Sequence, residues 1–122
     1  MPSQPEPSDC LFCRLAVHGD HVAREDGFVA IRDIAPLAET HLLMLPERHV
    51  DTFRDVAAFP DDELGRMVRF VARTARSAGL DDYRVLVNVG EGAGQTVFHL
   101  HWHVLGGKLD RARIADALLE SA

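Results

Sequence analysis

The sequence predicts a single α+β domain built on a mainly antiparallel sheet. Its length of 122 residues is that of one domain with a core of its own. The predicted strands outnumber the helices, and they come in groups that are adjacent along the chain. This order favours hairpins and an antiparallel sheet over the regular strand–helix alternation of a doubly wound fold.

The first elements are a flexible arm, a short helix and a hairpin. Residues 1–9 hold three of the six prolines and have neither a basic start nor an apolar run, so they are predicted to be an arm rather than a signal peptide. Residues 10–16 are apolar and predict one or two turns of helix. Residues 22–25 and 28–33 predict two short strands, because the Asp-Gly pair between them favours a tight turn.

The remaining elements follow from apolar patterns. The apolar run 41–45 ends at a proline and predicts a buried central strand. Residues 61–79 predict the long helix, with three acidic residues in the first turn and a final glycine. Its predicted apolar stripe consists of Leu64, Met67, Val68, Val71, Ala72 and Ala75. Residues 84–89 alternate as a strand does. The domain proper is predicted to span 10–110, followed by a helical tail over 111–122.

Composition and charge exclude several classes of protein. The net charge of −6 opposes wide contact with a nucleic-acid backbone. Two cysteines cannot build a secreted disulfide framework. The sequence has no apolar run of the roughly 18 to 20 residues that a transmembrane helix needs. We therefore expect a cytoplasmic protein with no membrane and no nucleic-acid polymer as partner.

Three of the seven histidines lie close together, at His99, His101 and His103. Alternate residues of a strand share a face, so a strand here would place these imidazoles about 7 Å apart on one side. Two chemistries suit such a row. Two of the histidines could hold a catalytic zinc with a third ligand from elsewhere. Alternatively, one neutral imidazole could attack phosphorus while its neighbours position the phosphate.

A glycine-rich loop, residues 90–96, precedes the histidines. Successive backbone N–H groups in such a loop can form a concavity that holds an anion, and Gln95 and Thr96 add neutral donors. By itself the pattern is equally typical of a hairpin connection. Joined directly to the histidine row, it favours phosphate chemistry.

The segment Gly94-Gln95-Thr96-Val97-Phe98-His99-Leu100-His101-Trp102-His103-Val104-Leu105-Gly106-Gly107 closely resembles the signature of the histidine triad (HIT) nucleotide-binding family. Its ending is similar to the Hint branch rather than to the diadenosine-polyphosphate hydrolase branch. Residues 10–13, 28–34, 41–49 and 87–90 also match the family in order. The resemblance implies a HIT-like fold: a five-stranded, mainly antiparallel sheet with one long helix and one or two short helices.

The resemblance implies roles for the histidines and the residues around them. His101 is similar to the nucleophile that attacks the α-phosphorus and forms a nucleotidyl-histidine. His103 would contact the phosphate oxygens and assist the leaving group. Asp33 and Ile34 match the positions for ribose and base. The further candidates for the phosphate site are Asn88, Gly94, Gln95, Thr96 and, near the pocket, His41; those for the base pocket are Leu11, Phe12 and Leu42.

The Cys-x-x-Cys pair resembles that of family members in which zinc binds two cysteines and two histidines. Here the matching residues are Cys10, Cys13, His49 and His99. A closed set of this kind would make the zinc structural. Assigning His99 to zinc leaves His101 and His103 for catalysis.

The resemblance also implies an activity and an assembly. The expected function is that of a nucleotide hydrolase or transferase, in particular a purine nucleoside phosphoramidase that releases AMP from a purine nucleotide substrate. The alternatives are a nucleotide-binding or interaction protein with vestigial hydrolysis, a diadenosine-polyphosphate hydrolase, and a zinc-dependent hydrolase that uses two triad histidines as ligands. Family members form homodimers, and we expect one here.

Overall fold

The computed structural model describes residues 9–119, with side chains up to residue 116. The predicted arm lies outside these residues except for Asp9. The elements, in chain order, are α1 (Leu11–His18), β1 (Ala23–Glu25), β2 (Phe28–Arg32), β3 (Ala38–Pro46), α2 (Asp61–Ser77), β4 (Tyr83–Leu86), β5 (Trp102–Leu109) and α3 (Arg111–Leu119), with 3-10 turns at Phe53–Ala58 and Glu91–Ala93.

The strands form one five-stranded sheet in the order β1-β2-β3-β5-β4, and every neighbouring pair is antiparallel. The predicted fold class is confirmed. The predicted hairpin is also present: Glu25 pairs with Phe28 across the turn, where Gly27 has a φ of 89° that favours glycine. β3 is central, as its apolar run predicted, and is longer than 41–45 because it pairs along both sides.

The two faces of the sheet carry separate cores. Leu42 and Met44 of β3 face α2 and pack in one core, whereas Leu43 and Leu45 face α1 and pack in the other. Alternation along a strand explains this division. α2 buries a stripe formed by Met67, Phe70, Val71, Thr74 and Ala75. Val68 and Ala72, which belong to the predicted stripe, are exposed instead.

Two strands have bounds that differ from the prediction: one begins later and the other ends earlier. β5 begins at Trp102, so the prediction that His99 and His101 lie in a strand is wrong. The preceding segment runs irregularly beside another loop, with the Leu100 amide donating to the Val50 carbonyl at 2.8 Å. β4 ends at Leu86, opposite His103, since its partner strand extends no further than Trp102. None of the helices within 9–119 has the length and apolar character that crossing a bilayer requires.

Candidate active site and metal centre

A cavity of about 280 Å³ opens on the α1 face of the sheet. Its size is close to the lower end of small-molecule pockets, about 300 Å³. It lies between α1, the end of β2, the glycine-rich loop and the histidine segment. The lining residues are Leu11, Phe12, Leu15, Ile31, Arg32, Asp33, Ile34, Leu43, Asn88, Gly94, Thr96, Val97, His101 and His103.

His101 lines this cavity and is held by its own backbone. Its Nδ1 lies 2.7 Å from the carbonyl oxygen of His99, which can only accept, so Nδ1 carries a proton. The Phe12 ring packs edge-on against the imidazole at a centroid distance of 4.8 Å. Burial lowers the pKa of His101, and the His99 carbonyl opposes this shift. The neutral ring therefore keeps its lone pair on Nε2, as a nucleophile requires.

His103 has the opposite tautomer, which is set through His41. The Leu37 amide donates to Nδ1 of His41 at 3.0 Å, so a neutral His41 carries its proton on Nε2. That nitrogen lies 2.9 Å from Nδ1 of His103 and 3.3 Å from the Asp33 carboxylate. Since Nδ1 of His103 accepts this proton, His103 carries its own on Nε2. Burial, with smaller contributions from His101 and His41, lowers the pKa of His103 to about 4.

The residues predicted for ribose and base lie at the mouth of the cavity. Asp33 accepts a hydrogen bond from the Ala35 amide at 2.8 Å and also faces His41. Ile34 is fully exposed at the cavity rim. Leu42 is not part of the cavity, because it faces α2; Leu43, on the same face of β3 as His41, takes that place.

The glycine-rich loop is organised by Gln95 rather than by an anion. The amides of Ala93, Gly94 and Gln95 donate to carbonyls within the loop, so they do not form the predicted anion cradle. The Gln95 side chain accepts from the Gly90 amide and donates to the carbonyls of Asp51 and Val97. Gln95 is therefore buried behind the cavity. Asn88, Gly94 and Thr96 line the cavity.

The four predicted metal ligands converge from three parts of the chain. Their ligand atoms all lie within 4.8 Å of one another. Nδ1 of His99 lies 3.4 Å from both cysteine sulfurs, and Nδ1 of His49 lies 3.2 Å from Sγ of Cys13. A tetrahedral zinc with sulfur and nitrogen ligands would separate such atoms by about 3.6 Å. The arrangement can hold a metal ion.

In both histidines of this set, the ring nitrogen that points away from the cysteines makes a hydrogen bond, and this bond orients the other nitrogen toward the ligand cluster. Nε2 of His99 donates to the Pro46 carbonyl at 2.7 Å, and Nε2 of His49 lies 2.8 Å from the Asp51 carboxylate. Such contacts direct the other ring nitrogen to a metal. Burial and the neighbouring Cys10 raise the pKa of Cys13 to about 12, and a bound cation would oppose both causes.

Most of the groups that orient these side chains leave no signal in the sequence. The His99 carbonyl, the Leu37 amide and the Pro46 carbonyl are backbone atoms, and no residue type identifies them. Leu43 could have been found, because alternation along β3 from His41 places it on the cavity side. Asp51 lies two residues after His49, but its contact depends on the irregular path of that segment.

The fold and the site together define an antiparallel α+β domain with two histidines, His101 and His103, along a ligand-sized cavity. A family model described as HIT domain matches residues 15–110. The purine nucleoside phosphoramidase of Escherichia coli K12 is 39% identical over 97 residues, which are 78% of this chain and 82% of that protein. Protein HitA of Neisseria gonorrhoeae is 37% identical over 102 residues, 80% of this chain and 95% of that protein.

Solved structures give the same result. A HIT family hydrolase from Legionella pneumophila superposes with a TM-score of 0.75 at 37% identity, covering 82% of this chain and 94% of that one. A histidine triad protein from Clostridium difficile superposes with a TM-score of 0.75 at 34% identity, covering 85% of this chain and 95% of that one. The chain belongs to the HIT family.

Proposed function

We propose that the protein is a purine nucleoside phosphoramidase that cleaves a nucleoside phosphoramidate through a nucleotidyl-histidine intermediate and releases AMP. The observation that carries this proposal is the pair of tautomers. His101 has its lone pair on Nε2 beside the cavity because Nδ1 is bonded to the His99 carbonyl. His103, two residues on, has a proton on Nε2 because Nδ1 accepts from His41. The name of the Escherichia coli relative supports the same activity.

The first step transfers the nucleotide to the protein. Nε2 of His101 attacks the α-phosphorus, a bond from this nitrogen to phosphorus forms, and the phosphorus–nitrogen bond to the amine breaks. The leaving amine takes its proton from solvent at the open cavity. The Nε2 proton of His103 stabilises the phosphate oxygens by a hydrogen bond, since a neutral imidazole N–H is a donor rather than an acid at neutral pH.

The second step regenerates the protein. Water attacks phosphorus, the bond to His101 breaks with its electrons returning to Nε2, and a proton goes to solvent. AMP leaves, and the proton balance of the two steps closes. Asp33 accepts from the ribose hydroxyls, Ile34 and Leu43 pack on the purine, and Thr96 and Asn88 donate to the phosphate.

The experiment is intact-protein mass spectrometry after mixing with an adenosine 5′-phosphoramidate. Wild type should show an added adenylyl mass and turn the substrate over. His101→Asn should show neither, because amide nitrogen has no nucleophilic lone pair. His18→Asn, an exposed change on α1, is the control and should behave as wild type.

Three results would contradict the proposal. An adduct that survives in His101→Asn removes the nucleophile assignment. Nucleotide binding without turnover favours the vestigial binding protein. Faster cleavage of a diadenosine polyphosphate than of the phosphoramidate favours that hydrolase. The zinc-dependent hydrolase lacks geometric support, because His99 faces the cysteines and His101 belongs to neither group of clustered ligand atoms among residues 9–119.

We also propose that the metal is a structural zinc held by Cys10, Cys13, His49 and His99. The two thiolates and two imidazoles form a closed donor set of the kind that structural zinc prefers. The zinc would supply a crosslink between α1, the segment after β3 and the histidine segment, and it would take no part in the chemistry at phosphorus.

We propose further that the protein is a homodimer in the cytoplasm. β4 is an edge strand, and Val85 on β4 and Val68 on α2 expose 46% and 53% of their surface. They border an apolar groove that also contains Tyr83 and Trp102. The indole N–H of Trp102 is buried without an acceptor among the described residues. A second copy covering this groove would bury the apolar surface and pair the exposed edge.

A further inference from the structure

Asp33, His41 and His103 bring three ligand-type atoms within 4.8 Å of one another, outside the cysteine-containing metal centre. A metal ion or a proton relay could in principle use them. The Leu37 amide decides between the two, because it donates to Nδ1 of His41 at 3.0 Å. With that lone pair engaged, a neutral His41 has a proton on Nε2 and offers no lone pair to a metal there. The cluster is therefore a hydrogen-bonded relay that begins at the Leu37 amide and runs through His41 to His103.

The loop that presents this amide is held by the C-terminal helix. The loop comprises residues 33–37 and connects β2 to β3. The Asp110 amide, just before α3, donates to the Leu37 carbonyl at 2.9 Å. The Arg113 guanidinium, in the first turn of α3, donates to the Pro36 carbonyl at 3.0 Å. These two bonds connect the start of α3 to the carbonyls of Pro36 and Leu37. The two carbonyls lie on either side of the Leu37 amide, which determines the tautomer of His41.

A third contact fixes the start of α3 itself. The Arg113 amide donates to the Asp110 side chain at 3.0 Å, which is an N-cap interaction. The same short segment thus caps the helix and holds the loop. Pro36, Leu37, Asp110 and Arg113 do not line the cavity, whereas Asp33 and Ile34 at the start of the same loop do.

We propose that α3 is a positioning element of the active site, and that Arg113 is a positioning residue for His103. Arg113 acts through the Pro36 carbonyl on the Leu37 amide, which keeps His41 as a donor and so keeps the proton of His103 on Nε2. The inference rests on the proposed function only for the meaning of that proton in the reaction. The tautomers themselves are properties of the free protein.

The first test compares Arg113→Met with Arg111→Met, which removes the same charge from the same turn of α3. We expect Arg113→Met to lower kcat about fivefold, the size of one hydrogen bond, with KM changed less than about twofold. Arg111→Met should leave both constants unchanged. Arg113→Lys, which can still donate to the Pro36 carbonyl, should restore most of kcat.

The second test reads the tautomers directly by nitrogen-15 NMR of the imidazoles, without substrate. In wild type, His41 and His103 should both be protonated on Nε2, and His101 on Nδ1. Leu37→Pro, which removes the amide proton, should shift His41 toward the Nδ1 tautomer. Leu37→Ala, which keeps that proton, should leave the spectrum unchanged and controls for the lost side chain.

Two outcomes would overturn the inference. A wild-type spectrum with His41 protonated on Nδ1 removes the relay. A fall in kcat for Arg113→Met with unchanged His41 and His103 signals shows that α3 acts by another route. Failure of the proposed function is distinct: wild type would then not cleave the phosphoramidate, whatever tautomers the spectrum shows.

Discussion

His101 and His103 have the same side chain and neighbouring positions, yet opposite nitrogens carry their protons. The difference lies in what faces Nδ1: a carbonyl that accepts for His101, and the N–H of His41 for His103. Hydrogen bonding rather than residue type therefore separates a nucleophile from a donor. The same reasoning distinguishes Gln95 from Thr96, which are adjacent but serve the loop and the cavity respectively.

The lowered pKa of His103 predicts how stability depends on pH. In the unfolded chain its pKa is about 6.5, whereas in the folded protein it is about 4. Between these values the unfolded state binds a proton that the folded state does not, so the free energy of unfolding falls as pH is lowered through this window. Urea unfolding at several pH values from about 7 to 5 measures it.

His103→Gln should make the same curve flatter, since glutamine does not titrate. The window above pH 5 lies above the ordinary range of carboxylates, which limits their contribution. Metal release on acidification affects both proteins alike and cancels in the comparison. Equal slopes for the two proteins would contradict the assignment.

Gln95 and Thr96 offer a matched pair of substitutions. Gln95→Met should lower the free energy of unfolding by roughly 2 to 4 kcal/mol, because one buried and two partly buried backbone groups lose their partner. Thr96→Val should leave stability nearly unchanged and weaken AMP binding, since Thr96 is exposed to the cavity. Chemical denaturation and calorimetric titration with AMP measure the two effects. A stable Gln95→Met protein with weakened AMP binding would show that Gln95 serves the ligand directly.

At the scale of elements, α1 connects the proposed metal centre to the cavity. Cys10 caps this helix, with its sulfur accepting from the Cys13 amide. Phe12, between the two cysteines, contacts the His101 ring. His99 supplies a metal-facing nitrogen from its side chain and the acceptor for His101 from its backbone. A metal ion bound there would therefore fix groups on two sides of the proposed nucleophile.

Loss of the metal should therefore loosen α1 before the rest of the fold. Cys13→Ser should lower Tm by roughly 10 °C or more and abolish stoichiometric zinc. Hydrogen exchange should accelerate in Leu11–His18 more than in α2. His18→Asn, at the exposed end of the same helix, is the control and should keep zinc and Tm. Undiminished zinc content in Cys13→Ser, by elemental analysis, would refute the ligand set.

At the scale of the whole molecule, the strand order leaves two edges with different character. β1 carries charged residues, and its Glu25 and Arg24 pair with Arg73 and Glu47 respectively. β4 carries exposed apolar residues beside the groove with Trp102. Charged edges resist association, whereas an apolar edge next to an apolar groove favours it. The asymmetry locates the proposed dimer contact at β4.

Val85→Asp should therefore convert the dimer to a monomer, because a carboxylate in the groove would be desolvated on association. Light scattering after gel filtration measures the mass. Val22→Asp, the same change next to β1, is the control and should remain dimeric. The single tryptophan lines the groove, so its fluorescence should change with dissociation. A wild-type mass of one chain would end the proposal.

The sequence by itself determined what depends on near neighbours. The Asp-Gly turn, the start of α2 and the central strand follow from local conformational preference and apolar alternation, and the family follows from the histidine signature. The strand predicted from alternation is wrong at His99 and His101, because contacts with distant loops outweigh strand geometry there.

Only the tertiary structure decided which nitrogen of each histidine carries a proton. The positions of those protons are set by backbone atoms, such as the His99 carbonyl, which every residue type possesses, and the Leu37 amide, which every residue type except proline possesses. Their positions depend on the whole fold: the Leu37 loop is held by α3, and the His99 segment lies against Cys10 from the other end of the chain. Chemistry that depends on such shared groups leaves no pattern in the sequence, because distance in space and not residue identity selects them.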